Sequence, residues 1–180
     1  MLHSLGASVH DTNSSGDCAI GIAANNNKLE AIRELIKNGA DVMSPRADGG
    51  SPLFIAAQSG RVEALRLLHE HGADVNGPRT DGASPVYVAA LNGKTEILKV
   101  LIELAANVCI PNNSGITPVY IAAAYNHHES IRLLFEAGAN MDALTNNGDC
   151  AVGIAANNGH VLSIAALGEL GADVAVPRGD

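Results

Sequence analysis

Aromatic side chains are scarce in this sequence. Its 180 residues include no tryptophan, two phenylalanines and three tyrosines, although 47% of them are hydrophobic. Alanine and leucine must therefore fill most of the core. This composition favours thin, closely packed helices over a thick two-layer core.

Basic residues are also few. The sequence has 11 lysines and arginines against 19 aspartates and glutamates, which gives a net charge of −8 at pH 7. A surface that binds nucleic acid needs clustered lysine and arginine, and this balance argues against one. The acidity favours solubility and, weakly, basic partners.

The sequence also lacks signs of disulfides and membrane spans. Its three cysteines are odd in number and far apart, which argues against a disulfide framework or a zinc site. We therefore expect reduced thiols and an intracellular, cytoplasmic location. The segment MLHSLGASVH lacks the features of a signal peptide. No segment approaches the roughly 18 consecutive apolar residues of a membrane span.

The strongest pattern in the sequence is a repeat with a period of 33 residues. Turn glycines recur at this step, namely Gly16, Gly49, Gly82, Gly115 and Gly148. The repeat predicts a single domain over residues 1–180. Its five full units span about 12–44, 45–77, 78–110, 111–143 and 144–176, with partial units at 1–11 and 177–180.

Each unit is predicted to begin with a short helix. In the middle units this helix opens with Ser51-Pro52, Ser84-Pro85 or Thr117-Pro118. A hydroxyl caps free N–H groups there, and proline at the first helical position needs no N–H. Glycine ends the helix in the left-handed conformation, and Asn27 and Asn126 take its place in two units.

The second helix of each unit carries an apolar stripe at helical spacing. The stripe consists of Ile32, Leu65, Leu98, Ile131 and Ile164, followed three residues later by Leu35, Leu68, Leu101, Leu134 and Leu167. Helices this short are not stable alone. Each unit must therefore bury its stripe against the adjacent units.

Together these motifs resemble the ankyrin repeat. The resemblance rests on the 33-residue period, on S/T-P-L/V-x-I/V-A-A, on the glycine bend, on the leucine pair and on G-A-D-V-N, and it covers essentially the whole chain. It implies an all-α helical repeat solenoid in which each unit has two antiparallel helices and a short projecting β-hairpin. It also implies protein–protein recognition through the hairpin tips and the concave face, without catalytic residues.

The chain departs from the family pattern two residues after the proline, where the family usually has histidine. Phe54, Tyr87 and Tyr120 hold this position in the middle units, and Gly21 and Gly153 hold it in the outer units. One interpretation is an aromatic ladder that packs between stacked units. The other is an aromatic stripe that reaches the concave surface and anchors a partner.

Units 1 and 5 share the segment DCA-I/V-GIAANN. A glycine within a helix costs about 1 kcal/mol relative to alanine. We therefore expect weaker first helices in these units, with Asp17 and Asp149 as their caps. The two segments lie 132 residues, or four units, apart, so we expect the parent array to continue beyond Asp180.

On the second helices, glutamates precede cations by three residues. The predicted i,i+3 pairs are Glu30–Arg33, Glu63–Arg66, Glu96–Lys99 and Glu129–Arg132. Leu162 and Ala165 break this pattern in unit 5. Either a further unit, a dimer mate or a partner covers this face, or the repeat has drifted.

No motif in the sequence indicates catalysis. The seven histidines do not form a metal-ligand spacing, and no nucleophile elbow, phosphate loop or dinucleotide fingerprint occurs. The sequence predicts no enzyme activity, no metal site and no cofactor.

Binding is predicted to use the turn tips 46–50, 79–83 and 112–116 and the concave side of the first helices. Arg46 with Asp48 and Arg79 with Asp81 form either a row of alternating charges that faces a partner or local pairs within each turn. Leu91 and Tyr125 are predicted as exposed apolar anchors. The full candidate set is Arg46, Asp48, Gln58, Arg79, Asp81, Leu91, Asn92, Asn113, Ile116 and Tyr125.

The sequence thus predicts a non-enzymatic module that binds a protein partner, with no nucleic acid, membrane or small-molecule substrate. The alternative is a structural spacer or self-assembling segment of a larger protein. Asn76, eight residues after Leu68, resembles the asparagine that is hydroxylated in many animal ankyrin repeats, and this modification is a hypothesis.

Overall fold

The computed structural model describes residues 9, 11–14 and 16–173. These residues form ten helices in five consecutive pairs. The helices are α1 Ala19–Asn25, α2 Leu29–Lys37, α3 Pro52–Ser59, α4 Val62–Glu70, α5 Pro85–Leu91, α6 Thr95–Glu103, α7 Pro118–Ala124, α8 His128–Glu136, α9 Ala151–Asn157 and α10 Val161–Glu169. Within the described residues there is no strand, and one isolated antiparallel bridge joins Thr12 and Cys18. The predicted all-α helical stack is confirmed, whereas the expected β-hairpins are turns without strands in the described residues.

The helices form two rows. The first helices of adjacent pairs pack against one another from α1 to α9, and the second helices do the same from α2 to α10. Leu65, Leu98 and Ile131 are fully buried between the rows, as the stripe predicts. Leu35 and Ile164 are only partly buried, because α2 and α10 each contact one adjacent second helix instead of two.

The first helices of the middle units begin as predicted. Ser84 Oγ accepts a hydrogen bond from the Tyr87 N–H at 3.1 Å, and Ser51 and Thr117 make the equivalent bond. Proline occupies the first turn in all three helices. Each hydroxyl satisfies a backbone donor that the helix itself leaves unpaired.

The outer units begin differently. Cys150 is the N-cap of α9, and its Sγ accepts a hydrogen bond from the Gly153 N–H at 3.3 Å. Cys18 is the N-cap of α1, where its side chain makes no capping bond within the described residues. The expectation that Asp17 and Asp149 cap these helices was wrong, because each lies one residue before the N-cap.

The bends contain the left-handed residues that the sequence predicts. Asn27 has φ 54° and Asn126 has φ 60°, and asparagine tolerates this conformation better than most residues. Ala105 stands at an exit where the other units have glycine and is held at φ 58°. The partial unit 177–180 lies outside the described residues, as does most of the partial unit 1–11.

Candidate functional site

The turn tips of successive units bond directly to one another. The Thr80 N–H and Oγ1 both donate to the Asp48 carbonyl, at 3.2 and 2.7 Å. One unit further along, the Asn113 N–H donates to the Asp81 carbonyl at 3.0 Å. We call this series of bonded turns the tip row. Because each turn is tied to the next, the tips form an ordered edge along the stack.

Glycine at each tip permits this close approach. Gly82 has φ 82°, and a Cβ there would lie 2.8 Å from the Asn113 backbone nitrogen. At Gly115, with φ 76°, a Cβ would lie 2.7 Å from the Asn146 nitrogen. Both the backbone conformation and the space therefore require glycine at these two positions.

The charged side chains of the tips form pairs within each turn and a row across units. Arg46 Nε donates to Asp48 Oδ1 at 3.0 Å, and Arg79 Nε donates to Asp81 Oδ1 at 3.0 Å. Across units, Arg79 Nη1 lies 3.8 Å from Asp48 Oδ2, and Arg46 Nε lies 3.9 Å from Asp17 Oδ1. The local pairs and the alternating row thus coexist.

These contacts keep the tip carboxylates ionised. The hydrogen bond from Arg46 lowers the pKa of Asp48 from 3.8 to about 2. The hydrogen bond from Arg79 likewise lowers the pKa of Asp81. Hydrogen bonds to a carboxylate favour its charged form, so the tip row carries fixed alternating charges.

The aromatic residues of the first helices mainly pack in the core. Phe54 and Tyr87 are buried, which supports the packing interpretation for these two positions. Burial also raises the pKa of Tyr87. Tyr120 is only partly buried. The Arg79 guanidinium lies over the Phe54 ring, 5.4 Å from its centroid, in cation–π geometry.

Tyr125 is the exposed apolar group that the sequence predicts at the end of α7. Its side chain is 57% exposed, and its ring stacks on His127 with centroids 6.5 Å apart and planes 12° apart. Leu91 differs from the prediction, because it is partly buried and packs against the core. Tyr125 alone is therefore an apolar anchor of the kind expected.

The other candidate residues have mixed roles. The Asn92 side chain donates to the Val88 carbonyl at 2.8 Å, so its amide caps its own helix. Asn113 Nδ2 donates to the Thr80 carbonyl at 3.1 Å. Ile116 packs partly against the core, and Gln58 is partly buried. Asn92 and Asn113 remain exposed, whereas Gln58 and Ile116 are partly buried.

A set of contacts between units was not anticipated from the sequence. Side chains at the start of the second helices bind carbonyls at the end of the preceding unit's first helix. The contacts are Arg61 Nε to Asn25 O (2.9 Å), His127 Nε2 to Leu91 O (3.1 Å) and His160 Nε2 to Ala124 O (3.0 Å). They satisfy orphan carbonyls at the helix ends. These contacts could have been predicted from the basic residues that recur at positions 28, 61, 94, 127 and 160.

The predicted ion pairs on the second helices are only partly present. Lys99 Nζ lies 3.3 Å from Glu96 Oε2, as expected. Arg132 instead binds Glu169 of the next unit, with Nη2 2.5 Å from Oε2. Arg66 likewise pairs with Glu103. Most of these arginines therefore link units, because the next helix of the same row lies within reach of a long side chain.

Asn76 has a structural contact whether or not it is modified. Its Oδ1 accepts a hydrogen bond from the Asn107 N–H of the next unit at 2.8 Å. Asp142 makes the same contact with Asp173 at 2.8 Å. The position therefore joins consecutive exit loops, and its hydroxylation stays a hypothesis.

A cavity between units 1 and 2 was not predicted from the sequence. It has a volume of about 310 Å³ and is lined by Asn13, Asp17, Gly21, Ile22, Asn25, Arg46 and Ile55. Gly21 stands where the middle units have an aromatic residue. Gly21 was the one feature of the sequence related to this cavity, but it was interpreted only as a residue that weakens the helix.

The described residues contain no cluster of histidine, cysteine, aspartate or glutamate side chains that could hold a metal ion. Cys18, Cys109 and Cys150 are free thiols. Over the same residues, no helix has both the length and the apolar character needed to cross a membrane.

Comparison with protein families agrees with this architecture. A family model described as ankyrin repeats (3 copies) matches residues 1–79, 20–112 and 86–177. The chain therefore belongs to the ankyrin repeat family, whose members are generally protein–protein interaction modules and are typically not enzymes. A comparison with curated proteins gives no match.

Proposed function

We propose that this ankyrin stack is a non-enzymatic module that binds a protein partner through its tip row and the adjacent ends of its first helices. The tip row supports this proposal because its turns are held in fixed positions before a partner binds. Hydrogen bonds hold each turn against the next, and the arginine–aspartate pairs hold the charges in place. A surface that is ordered before binding loses less conformational entropy when it binds.

The observation that carries the proposal most directly is the exposed Tyr125. It is 57% exposed yet supported on one face by His127. Tyrosine offers a large contact area at low conformational cost and is frequent among residues that dominate binding energy. An exposed ring held by a second ring is therefore a suitable anchor for a partner.

The test is a pull-down from native extract, read by mass spectrometry, with the wild type and two matched variants. Tyr125→Ala should lose the partner. Phe135→Ala, which truncates a 41% exposed ring on the second helix of the same unit, should keep it. Equal capture by both variants would discard Tyr125 as the anchor.

A double change Leu91→Ala/Tyr125→Ala should also weaken partner binding. Since Leu91 packs against the core, its truncation costs stability as well. The single Tyr125→Ala change is therefore the cleaner test. Thermal unfolding should separate the two variants, with the loss of stability confined to the one that alters Leu91.

A second candidate function is end-to-end assembly, and the outer surface of α10 favours it. Val161 is 72% exposed and Leu162 is 54% exposed, and a helix that is apolar on all sides is usually covered. Light scattering over a concentration series should then show association in the wild type. Leu162→Glu, which restores the residue of the preceding units, should reduce it. A wild type that stays monomeric at high concentration argues against this function.

The three free thiols agree with a reducing compartment. We propose a location inside the cell, in the cytoplasm, which these thiols support. Its acidic charge of −8 favours a protein partner over nucleic acid.

A further inference from the structure

The cavity between units 1 and 2 takes the place that a buried aromatic ring fills one period further along. In unit 2 the Phe54 ring fills this position and the Arg79 guanidinium lies over it at 5.4 Å. One period earlier, the equivalent residues are Gly21 and Arg46. Both line the cavity of about 310 Å³. Where units 1 and 2 meet, the arginine of this arrangement is therefore present without the ring.

We infer that this cavity, which we call the Gly21 pocket, binds a phenylalanine or tyrosine side chain of a partner peptide beneath the Arg46 guanidinium. The inference rests on the proposed protein-binding function and assigns part of the binding site. The bound ring would reproduce the contact that Arg79 makes with Phe54 inside the protein. Ile22, which is 43% exposed, and Ile55 supply the apolar wall of the pocket.

Arg46 is held in place for such a contact. Its guanidinium donates to both carboxylate oxygens of Asp48, at 3.0 and 2.5 Å, and Asp17 lies 3.9 Å away. The ring face would therefore meet an ordered cation, so little entropy is lost on binding. A planar guanidinium also stacks on aromatic faces better than an ammonium does.

The rim of the pocket indicates a peptide with basic flanking residues. Asp17 lies in the lining beside Arg46 and offsets its charge, and the chain as a whole has a charge of −8, which favours a basic peptide. Asn25, an exposed residue of the lining, accepts a hydrogen bond from Ser59 at its Oδ1 (2.5 Å). Its Nδ2 makes no bond to the described residues and can donate to a peptide carbonyl.

The experiment titrates the full chain with the peptide acetyl-KGFGK-amide and, as the matched control, acetyl-KGAGK-amide. The readouts are the NMR signals of the Gly21 amide and the Arg46 Nε–H. The phenylalanine peptide should shift both signals through its ring current and bind about fivefold more tightly than the alanine peptide. Equal shifts with the two peptides would overturn the inference.

Variants then locate the binding. Gly21→Tyr places a ring in the pocket and should abolish the difference between the peptides. Tyr87, buried in unit 3, shows that the repeat accommodates a tyrosine there. Gly153→Tyr makes the same change in unit 5 and should leave binding unchanged. A preference for the phenylalanine peptide that survives Gly21→Tyr contradicts the inference.

A second variant covers the case in which Gly21→Tyr does not fold. Arg46→Gln removes the cation and should also reduce the preference for phenylalanine. If Arg46→Gln keeps the full preference for the phenylalanine peptide, the Gly21 pocket does not bind the ring beneath Arg46 and the inference is wrong. Capture of the natural partner separates this failure from failure of the proposed function. A partner that is lost in Tyr125→Ala and kept in both pocket variants supports the module and rejects the pocket.

Discussion

The middle units and the outer units build the same helix pair with different residues at the start of the first helix. In the middle units a hydroxyl such as Ser84 caps the helix, and a ring such as Phe54 fills the space below it. In unit 1, Cys18 stands at the cap position and Gly21 at the ring position. The helix forms in both cases, because it packs against its own second helix and against an adjacent first helix.

The difference shows what the repeat needs and what it can vary. The buried stripe and the left-handed bends occur in every unit, so they specify the fold. The cap and the ring can be lost, and in unit 1 their loss leaves a cavity next to a fixed arginine. The irregular unit therefore adds a pocket, whereas the regular units have the ordered tip row and the exposed Tyr125.

The largest expected loss of stability comes from a substitution that disrupts the tip row in the middle units. At Gly115, φ is 76° and an added Cβ would meet the Asn146 nitrogen at 2.7 Å. Gly115→Ala should lower the free energy of unfolding by about 3 kcal/mol, through the left-handed backbone and the clash together. Gly72→Ala, also at positive φ but with open space around its Cβ, should cost about 1 kcal/mol. Equal losses in urea unfolding would show that the tips do not hold adjacent units together.

A smaller change, a gain in stability, is expected at Ala105. The middle units therefore also contain a strained position. It is held at φ 58°, a conformation that costs an L-residue about 1 kcal/mol or more. Ala105→Gly should raise the free energy of unfolding by about 1 kcal/mol. Loss of stability in this variant would mean that the methyl group of Ala105 makes a contact that outweighs the strain.

A buried serine gives a comparison between units 4 and 5. The Ser130 Oγ is buried without a hydrogen-bond partner among the described residues, whereas the Ser163 Oγ donates to Asn126 Oδ1 at 3.2 Å. Ser130→Ala should stabilise the protein by about 1 kcal/mol, since it removes an unpaired polar group. Ser163→Ala should destabilise it by a similar amount. Thermal unfolding of both variants checks the signs, and a loss in Ser130→Ala would mean that a water or another group binds its hydroxyl.

The smallest effect concerns pH. The folded-state pKa of Asp48 is about 2, below its ordinary value of 3.8, so the carboxylate adds stability above about pH 4. That stability is lost as the pH falls through about 2. Asp48→Asn should therefore flatten the acid dependence of unfolding in this range. Because the side chain is 38% exposed, we expect a change of only a few tenths of a kcal/mol. An unchanged acid profile would show that the Arg46–Asp48 pair adds no stability.

Much of the fold could be predicted from the sequence because it depends on local chemistry. Ser84 before proline predicts a capped helix, Asn126 predicts a left-handed bend, and the leucine stripe predicts the buried face. All three depend on residues close together in the chain. The prediction that Asp149 caps α9 was wrong, because the adjacent Cys150 thiol accepts the hydrogen bond of the first turn instead.

The surface was less predictable because it depends on the distance between units. Arg132 pairs with Glu169 of the next unit instead of with its own helix, and the half-buried state of Leu91 depends on its neighbours. The cavity at Gly21 depends on where Arg46 and Ile55 of the next unit lie. Spacing along the chain predicts neighbours within a unit well and contacts between units poorly.

The most direct test of the account is hydrogen exchange along α1 in the wild type and in a variant that rebuilds unit 1 on the pattern of unit 2. The variant carries Cys18→Ser, Ala19→Pro and Gly21→Phe, which restore the cap, the proline and the ring. If these residues account for the difference between units, amide exchange in Ala19–Asn25 should slow by about tenfold. Exchange in α1 that stays as fast as in the wild type would contradict this explanation. The stability of the helix would then depend on its position in the stack and not on the residues at its start.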